Sequence, residues 1–226
     1  MTMKATNTAR LRRLLHLRPT VPDRYRELIA RHVRGRTFID VGCMWGVHGA
    51  YAFHAFDSGA TQVTGVDLMS PSPEFVTRNL AHEGRVRFVQ GDINDPSTAP
   101  GLGTADVVFC AGVLYHVPNP LLTLEHLRRI CAGTLLLGSA TIPEQRQPQT
   151  AVFLPFLSPR ARRALSYRSA DVKIGLDTDF VRGERYANWF WGLTASAVEA
   201  MVRAAGFEVR DRHRHRRSIC LVCAAV

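Results

Sequence analysis

Lysine is almost missing. The 226-residue chain has 29 Lys and Arg side chains, and only Lys4 and Lys173 of them are lysines. The formal net charge is still +10, which invites a nucleic-acid reading. The arginines are scattered through the chain, however, so the skew reads first as compositional, with a phosphate-tracking face as the alternative. Long apolar runs are missing too: the longest, 219–226, has eight residues, against the roughly 20 of a membrane span. No membrane association is expected. Cysteine is present without a framework. Cys43, Cys110, Cys131, Cys220 and Cys223 lie in apolar, strand-like contexts. Cys220 and Cys223, near His213 and His215, have the look of a metal site. In a strand, however, residues three apart point to opposite faces, so the two thiols cannot share an ion and no metal is expected. The cysteine usage reads as reduced and cytoplasmic.

No apolar segment near the start suits a secretory signal. Residues 1–22 lack any acid and carry Arg10, Arg12, Arg13 and Arg18, a composition shared with transit peptides. The preferred reading is a cap helix that buries Leu11, Leu14 and Leu15. What is present is ordinary for one globular domain: 46% apolar and 21% charged residues, in a chain long enough for one sizeable core.

The chain is organised around T-F-I-D-V-G-C-M-W-G-V-H-G, residues 37–49. Thr37–Val41 is a β-rich run, a turn of small residues follows, and 47–56 reads as helix. Such a glycine turn lets backbone approach a ligand closely, and free N–H groups at a helix start suit an acceptor. The dinucleotide fingerprint G-x-G-x-x-G fails, because Met44 stands where its second glycine belongs. No G-K-[ST] occurs, which excludes a P-loop. Asp40, two residues before Gly42, suits an ammonium or a water better than a pyrophosphate.

Strands and helices alternate onward. A helix is expected over 23–33, with Asp23 as N-cap and Gly35 after its end. Strands are expected at 62–68, 85–90, 105–110 and 134–139, and helices at 71–83 and from Asn119-Pro120 to about Ile130. This order predicts an α/β fold with a doubly wound, mostly parallel sheet. Ligands in such sheets bind beyond the C-terminal strand ends, where Asp40, Asp67, Asp92, Cys110 and Ala111 all fall. Asp67 stands 25 residues after Gly42, where a carboxylate grips ribose hydroxyls. Residues 141–188, with four prolines and an Arg-rich patch, are expected to form a lid containing a short helix at about 159–167. A helix over 195–205 with Ser196 and Glu199 as capping box, then a hairpin of 207–215 and 217–225, completes seven strands. The chain thus divides into N-terminal cap helices (1–35), a core (36–140), the lid (141–188) and a C-terminal helix with hairpin (189–226).

D-V-G-C-M-W-G resembles the first motif of class I S-adenosylmethionine (SAM) methyltransferases, [DE]-h-G-x-G-x-G, from which Met44 departs. G-V-L-Y-H-V and N-W-F-W-G-L-T-A-S-A-V-E-A-M-V-R-A-A-G-F are similar to one branch, the tRNA wobble-uridine (carboxy)methyltransferase-like proteins. The resemblance covers about residue 36 to the C-terminus. It implies a Rossmann-like fold and SAM as cofactor, held by Asp40, Gly42, Cys43, Met44, Gly46, Asp67, Leu68, Asp92, Ile93, Cys110 and Ala111. Asp92 would take the adenine amino group, and Ile93 would pack on the ring.

Methyl transfer asks for an aligned nucleophile, a dry site and sometimes a base. His116 is the base candidate, weighed against a histidine bonded to backbone. Tyr115 would touch the sulfonium end or pack under the lid. Tyr186, Trp189 and Trp191 would wall the acceptor cavity, with core packing the alternative for the tryptophans. Asn188 would bind substrate or cap the turn. The first functional reading is methylation of an O or N atom of a small-molecule acceptor, in specialised biosynthesis. The alternatives are a tRNA nucleoside acceptor, or a SAM-binding partner protein without catalysis. A carboxylated SAM is not expected, because only about 36 residues precede strand one where the tRNA enzymes carry a long extension. A homodimer is one option for its assembly.

Overall fold

The computed structural model describes residues 19–165, 179–184 and 186–226. The expected Arg-rich cap helix falls largely outside them. Five strands run parallel: β1 (Thr37–Val41), β2 (Gln62–Asp67), β3 (Val86–Gln90), β4 (Ala105–Ala111) and β5 (Cys131–Ala140). Further on, β8 (Phe207–His215) and β9 (Ser218–Ala225) form an antiparallel hairpin, and β9 pairs antiparallel with β5. The resulting seven-stranded sheet has the order β3-β2-β1-β4-β5-β9-β8. This is the doubly wound, mostly parallel sheet that the alternation of elements predicts and the Rossmann-like fold that the resemblance implies.

Period-two side chains split the core into two layers. Ile39, Val41, Val108, Cys110, Leu135, Leu137, Leu221 and Cys223 face one way. They meet α4 (Thr98–Leu102), α5 (Pro120–Ile130) and α7 (Ala195–Ala204) through Leu102, Leu124, Leu127, Val198 and Val202. Phe38, Val63, Val107, Phe109, Leu136 and Cys220 face the other way. They meet α1 (Val21–His32), α2 (Ala50–Asp57) and α3 (Pro73–Ala81) through Leu28, Phe53 and Phe75. Cys220 and Cys223 thus belong to opposite layers, as their spacing requires.

Several helix starts differ from the sequence expectation. Helix α1 begins at Val21, and its N-cap is Thr20, with Asp23 reaching back as the third-position partner of a capping box. Pro22 suits that first turn because it has no N–H to leave unpaired. Helix α7 is capped by Thr194, whose hydroxyl accepts from Ala197 N at 3.2 Å. Ser196 instead bonds Gln149 N and Glu144, and Glu199 pairs with Arg212 and Arg214. Helix α2 starts at Ala50, three residues late, because His48 and Gly49 adopt left-handed backbone. Helix α4 has no signal strong enough to be expected.

The segment after β5 is fastened at its two ends, and residues 166–178 of the expected lid lie outside the described residues. Strands β6 (Ala151–Phe153) and β7 (Trp191–Leu193) pair antiparallel. Thr141 N and Ile142 N donate to Arg217 O and Leu193 O. The expected short helix is α6 (Pro159–Leu165).

Candidate functional site

Strand β1 delivers the chain into the turn 42–49 at the edge where β2, β4 and β5 also end. Gly42 has φ +78°, and a Cβ there would stand 2.7 Å from Val113 Cγ2, so both backbone and space demand glycine. Gly46 has φ +67° and open space where a Cβ would be. Above these glycines lies a cavity of about 980 Å³, large enough for a nucleoside with a second small molecule.

Seven of the eleven residues expected at the cofactor line this cavity: Gly42, Gly46, Asp67, Leu68, Asp92, Ile93 and Ala111. Asp67 is oriented by two backbone donors, Met44 N on Oδ2 at 2.7 Å and Met69 N on Oδ1 at 2.9 Å. Each oxygen keeps acceptor capacity for a hydroxyl. Asp92 accepts from Asn94 N at 2.8 Å, and its other oxygen receives the Tyr186 hydroxyl. Tyr186 therefore occupies the carboxylate expected to take an adenine amino group.

The structure does not bring Asp40, Cys43, Met44 or Cys110 to the cavity. All four are buried. Met44 contributes its backbone N–H alone, and its side chain joins the core, which is how a bulky residue is accommodated at that motif position. Asp40 lies beneath the turn and accepts a hydrogen bond from Ala52 N, in the first turn of α2. Burial pushes its carboxyl up to about 8, and Oδ2 has no partner. Burial likewise raises the Cys43 and Cys110 thiols, so neither is a nucleophile.

The opposite side of the cavity is built after β4. A 3-10 turn, Leu114–His116, presents Tyr115 and His116 to the cavity. His116 Nδ1 lies 2.9 Å from Asn188 O. A carbonyl only accepts, so Nδ1 carries the proton and Nε2 is the basic nitrogen of the neutral ring. Burial lowers the pKa of this imidazole, partly offset by that hydrogen bond. Trp189 stacks on Tyr115 with centroids 4.0 Å apart and meets His116 edge-on at 5.4 Å. Burial pushes the Tyr115 phenol up to about 12.

Asn188 and Trp191 do not line the cavity. The Asn188 amide is spent on Val181 N, Val181 O and Glu184 O, which is the turn-capping alternative. Trp191 lies in β7, donates to Pro118 O at 3.1 Å and packs on Phe153. In a strand it shares a face with Trp189, but β7 begins only at Trp191 and the chain bends before it.

Sequence reasoning missed Trp45, His215, Arg216 and Arg217, which also line the cavity. Trp45 is 64% exposed and stands 6.1 Å from the His116 ring. A tryptophan between the glycines of a ligand turn was the available signal. The hairpin tip was legible from topology: a strand returning antiparallel beside β5 begins at the ligand edge.

A family model described as a methyltransferase domain matches residues 38–133. The chain is 37% identical over 111 residues to a tRNA U34 carboxymethyltransferase of Shewanella piezotolerans, covering 45% of this chain and 31% of that protein. It is 34% identical over 105 residues to a ubiquinone biosynthesis O-methyltransferase of Vibrio parahaemolyticus, covering 46% and 41%. The chain thus spans well under half the length of these relatives. A solved structure of the same fold is the 1,6-didemethyltoxoflavin-N1-methyltransferase of Burkholderia thailandensis, with 1,6-didemethyltoxoflavin and S-adenosylhomocysteine (SAH) bound. It shares 16% identity at a TM-score of 0.60, over 89% of this chain and 78% of that one.

Proposed function

We propose, from the premise that residues 38–133 carry a methyltransferase domain on a Rossmann-like sheet, that this protein is a SAM-dependent methyltransferase acting on an O or N atom of a small molecule. The observation that carries the reading is one cavity holding Asp67 and Asp92 at adjacent strand ends together with the basic nitrogen of His116. The residues fit the cofactor on two counts. Asp67 is pre-oriented with acceptor capacity to spare, and at Gly42 a Cβ would stand 2.7 Å from Val113 Cγ2, so the turn backbone borders the cavity closely.

SAM supplies, when bound, a methyl group made electrophilic by its sulfonium. Asp67 would receive the ribose hydroxyls, and charge-assisted bonds of this kind are the strong ones. Asp92 would receive the adenine amino group in place of the Tyr186 hydroxyl, and Leu68 and Ile93 would give the ring apolar contact. His116 Nε2 takes the proton of the acceptor hydroxyl or amine, while the Nδ1–H bond to Asn188 O fixes the ring. Tyr115, Trp189 and Trp45 exclude water from the reacting atoms.

The runner-up acceptor is a tRNA nucleoside, favoured by the name of the Shewanella relative and by the +10 net charge. Methyl-labelled SAM, incubated with the protein and a cell extract, separates the two. Label in the small-molecule fraction supports this reading. Label in tRNA, with a complex that survives physiological salt, overturns it in favour of the nucleoside.

A further inference from the structure

The cavity carries opposite charge at its two ends. Its carboxylates, Asp67 and Asp92, lie where β2 and β3 end. Its guanidiniums, Arg216 and Arg217, form the turn between β8 and β9. The register locates that turn. Ser218 pairs with Ala140, the last residue of β5, so the hairpin tip rises at the same edge as the ends of β1, β4 and β5. Adjacent strands lie about 4.8 Å apart, and β9 is two strands beyond β4, so the tip stands roughly 10 Å from the end of β4. His116 follows β4. Val21 and Tyr25 of α1 line the same cavity, with Tyr51 edge-on to Tyr25 at 5.8 Å, so the tip borders an apolar wall. Further along the hairpin Arg210 pairs with Glu208, and Arg212 and Arg214 pair with Glu199. Among the described residues no carboxylate pairs with the exposed Arg216.

We propose that the acceptor is an amphipathic organic acid: its carboxylate is held by Arg216 and Arg217, and the atom to be methylated lies beside His116. This rests on the methyltransferase reading and names its substrate class. A guanidinium fork matches a carboxylate in plane and charge. The apolar wall then takes the body of the molecule, and the roughly 10 Å between the hairpin tip and the end of β4 leaves room for an aryl ring between the arginines and His116. The other carboxylate that could reach arginine is the cofactor's own, and the test separates the two sources.

Calorimetry is run on SAH-saturated protein with para-hydroxybenzoate and para-hydroxycinnamate, each against its neutral amide. The expected result is an acid that binds at least about tenfold more tightly than its amide. The double variant Arg216→Gln/Arg217→Gln should lose that preference and keep wild-type affinity for SAH, which also shows that it folds. Arg210→Gln, at the paired end of the hairpin, should change neither. Acids and amides that bind alike, or no binding of either acid, overturn the proposal while SAH binding leaves the methyltransferase reading standing. Loss of SAH binding in the double variant assigns the arginines to the cofactor and overturns it as well. Wild-type protein that binds no SAH defeats the underlying reading itself.

Discussion

Asp40 and His116 are both pushed by burial toward their neutral forms, with opposite consequences across pH. The Asp40 carboxyl is raised to about 8, so the folded chain holds a proton there that the unfolded chain releases at about pH 4. Stability from this group is complete below pH 4 and falls as pH rises toward 8, by at most about 1.4 kcal/mol per pH unit. Asp40→Asn should flatten that slope, which denaturant melts across the window would measure; an unchanged slope would mean that Asp40 ionises freely. For His116 the lowered pKa keeps Nε2 unprotonated as pH falls past the ordinary 6.5. The methylation rate should hold through pH 6.5 and drop below it. His116→Ala should cut the rate ~10²-fold while acceptor binding survives, and a pH profile that is the same in the variant would remove the base assignment. The type and strand-end position of these residues could be read from the sequence. That Asp40 sits under the turn could not, because spacing alone does not say which strand-end carboxylate is roofed over by a following helix.

Helices and turns were legible where capping residues speak alone, as at Asn119 and Pro120, and misplaced where two candidates compete. Thr20 outcompetes Asp23 because Pro22 pulls the helix start forward, and Thr194 outcompetes Ser196, whose hydroxyl is drawn to Glu144. Thr194→Ala should therefore cost about 1 kcal/mol of stability by denaturant unfolding. Ser196→Ala should leave α7 intact. The return of 141–153 to pair with β7 carried no local signal, since β6 and β7 are three residues each and their pairing is long-range. Of the expected lid, residues 166–178 lie outside the described residues, and near its end the Tyr186 hydroxyl donates to Asp92. Tyr186→Phe frees that carboxylate and should tighten SAH binding by about three- to tenfold. Weaker binding would mean that Tyr186 holds the cofactor instead of competing with it.

Over the whole molecule the sheet does the assembling. Seven strands bring Asp67, Asp92, His116 and Arg217, separated by up to 150 residues, to one edge and one cavity. The alternation of elements made that edge predictable, and of the three acidic strand ends Asp67 and Asp92 border the cavity while Asp40 is buried beneath the turn. On the opposite side of the cavity Tyr115, His116, Tyr186 and Trp189 were legible in the sequence, whereas the hairpin tip and Trp45 were not singled out, because they enter the cavity only once the strands have an order. The central claim is that this edge binds SAM, and calorimetry of the intact protein with SAH and with NAD tests it most directly. The account predicts SAH binding that weakens by about 1–3 kcal/mol in Asp67→Ala, and no NAD binding. Tight NAD binding without SAH binding would contradict it.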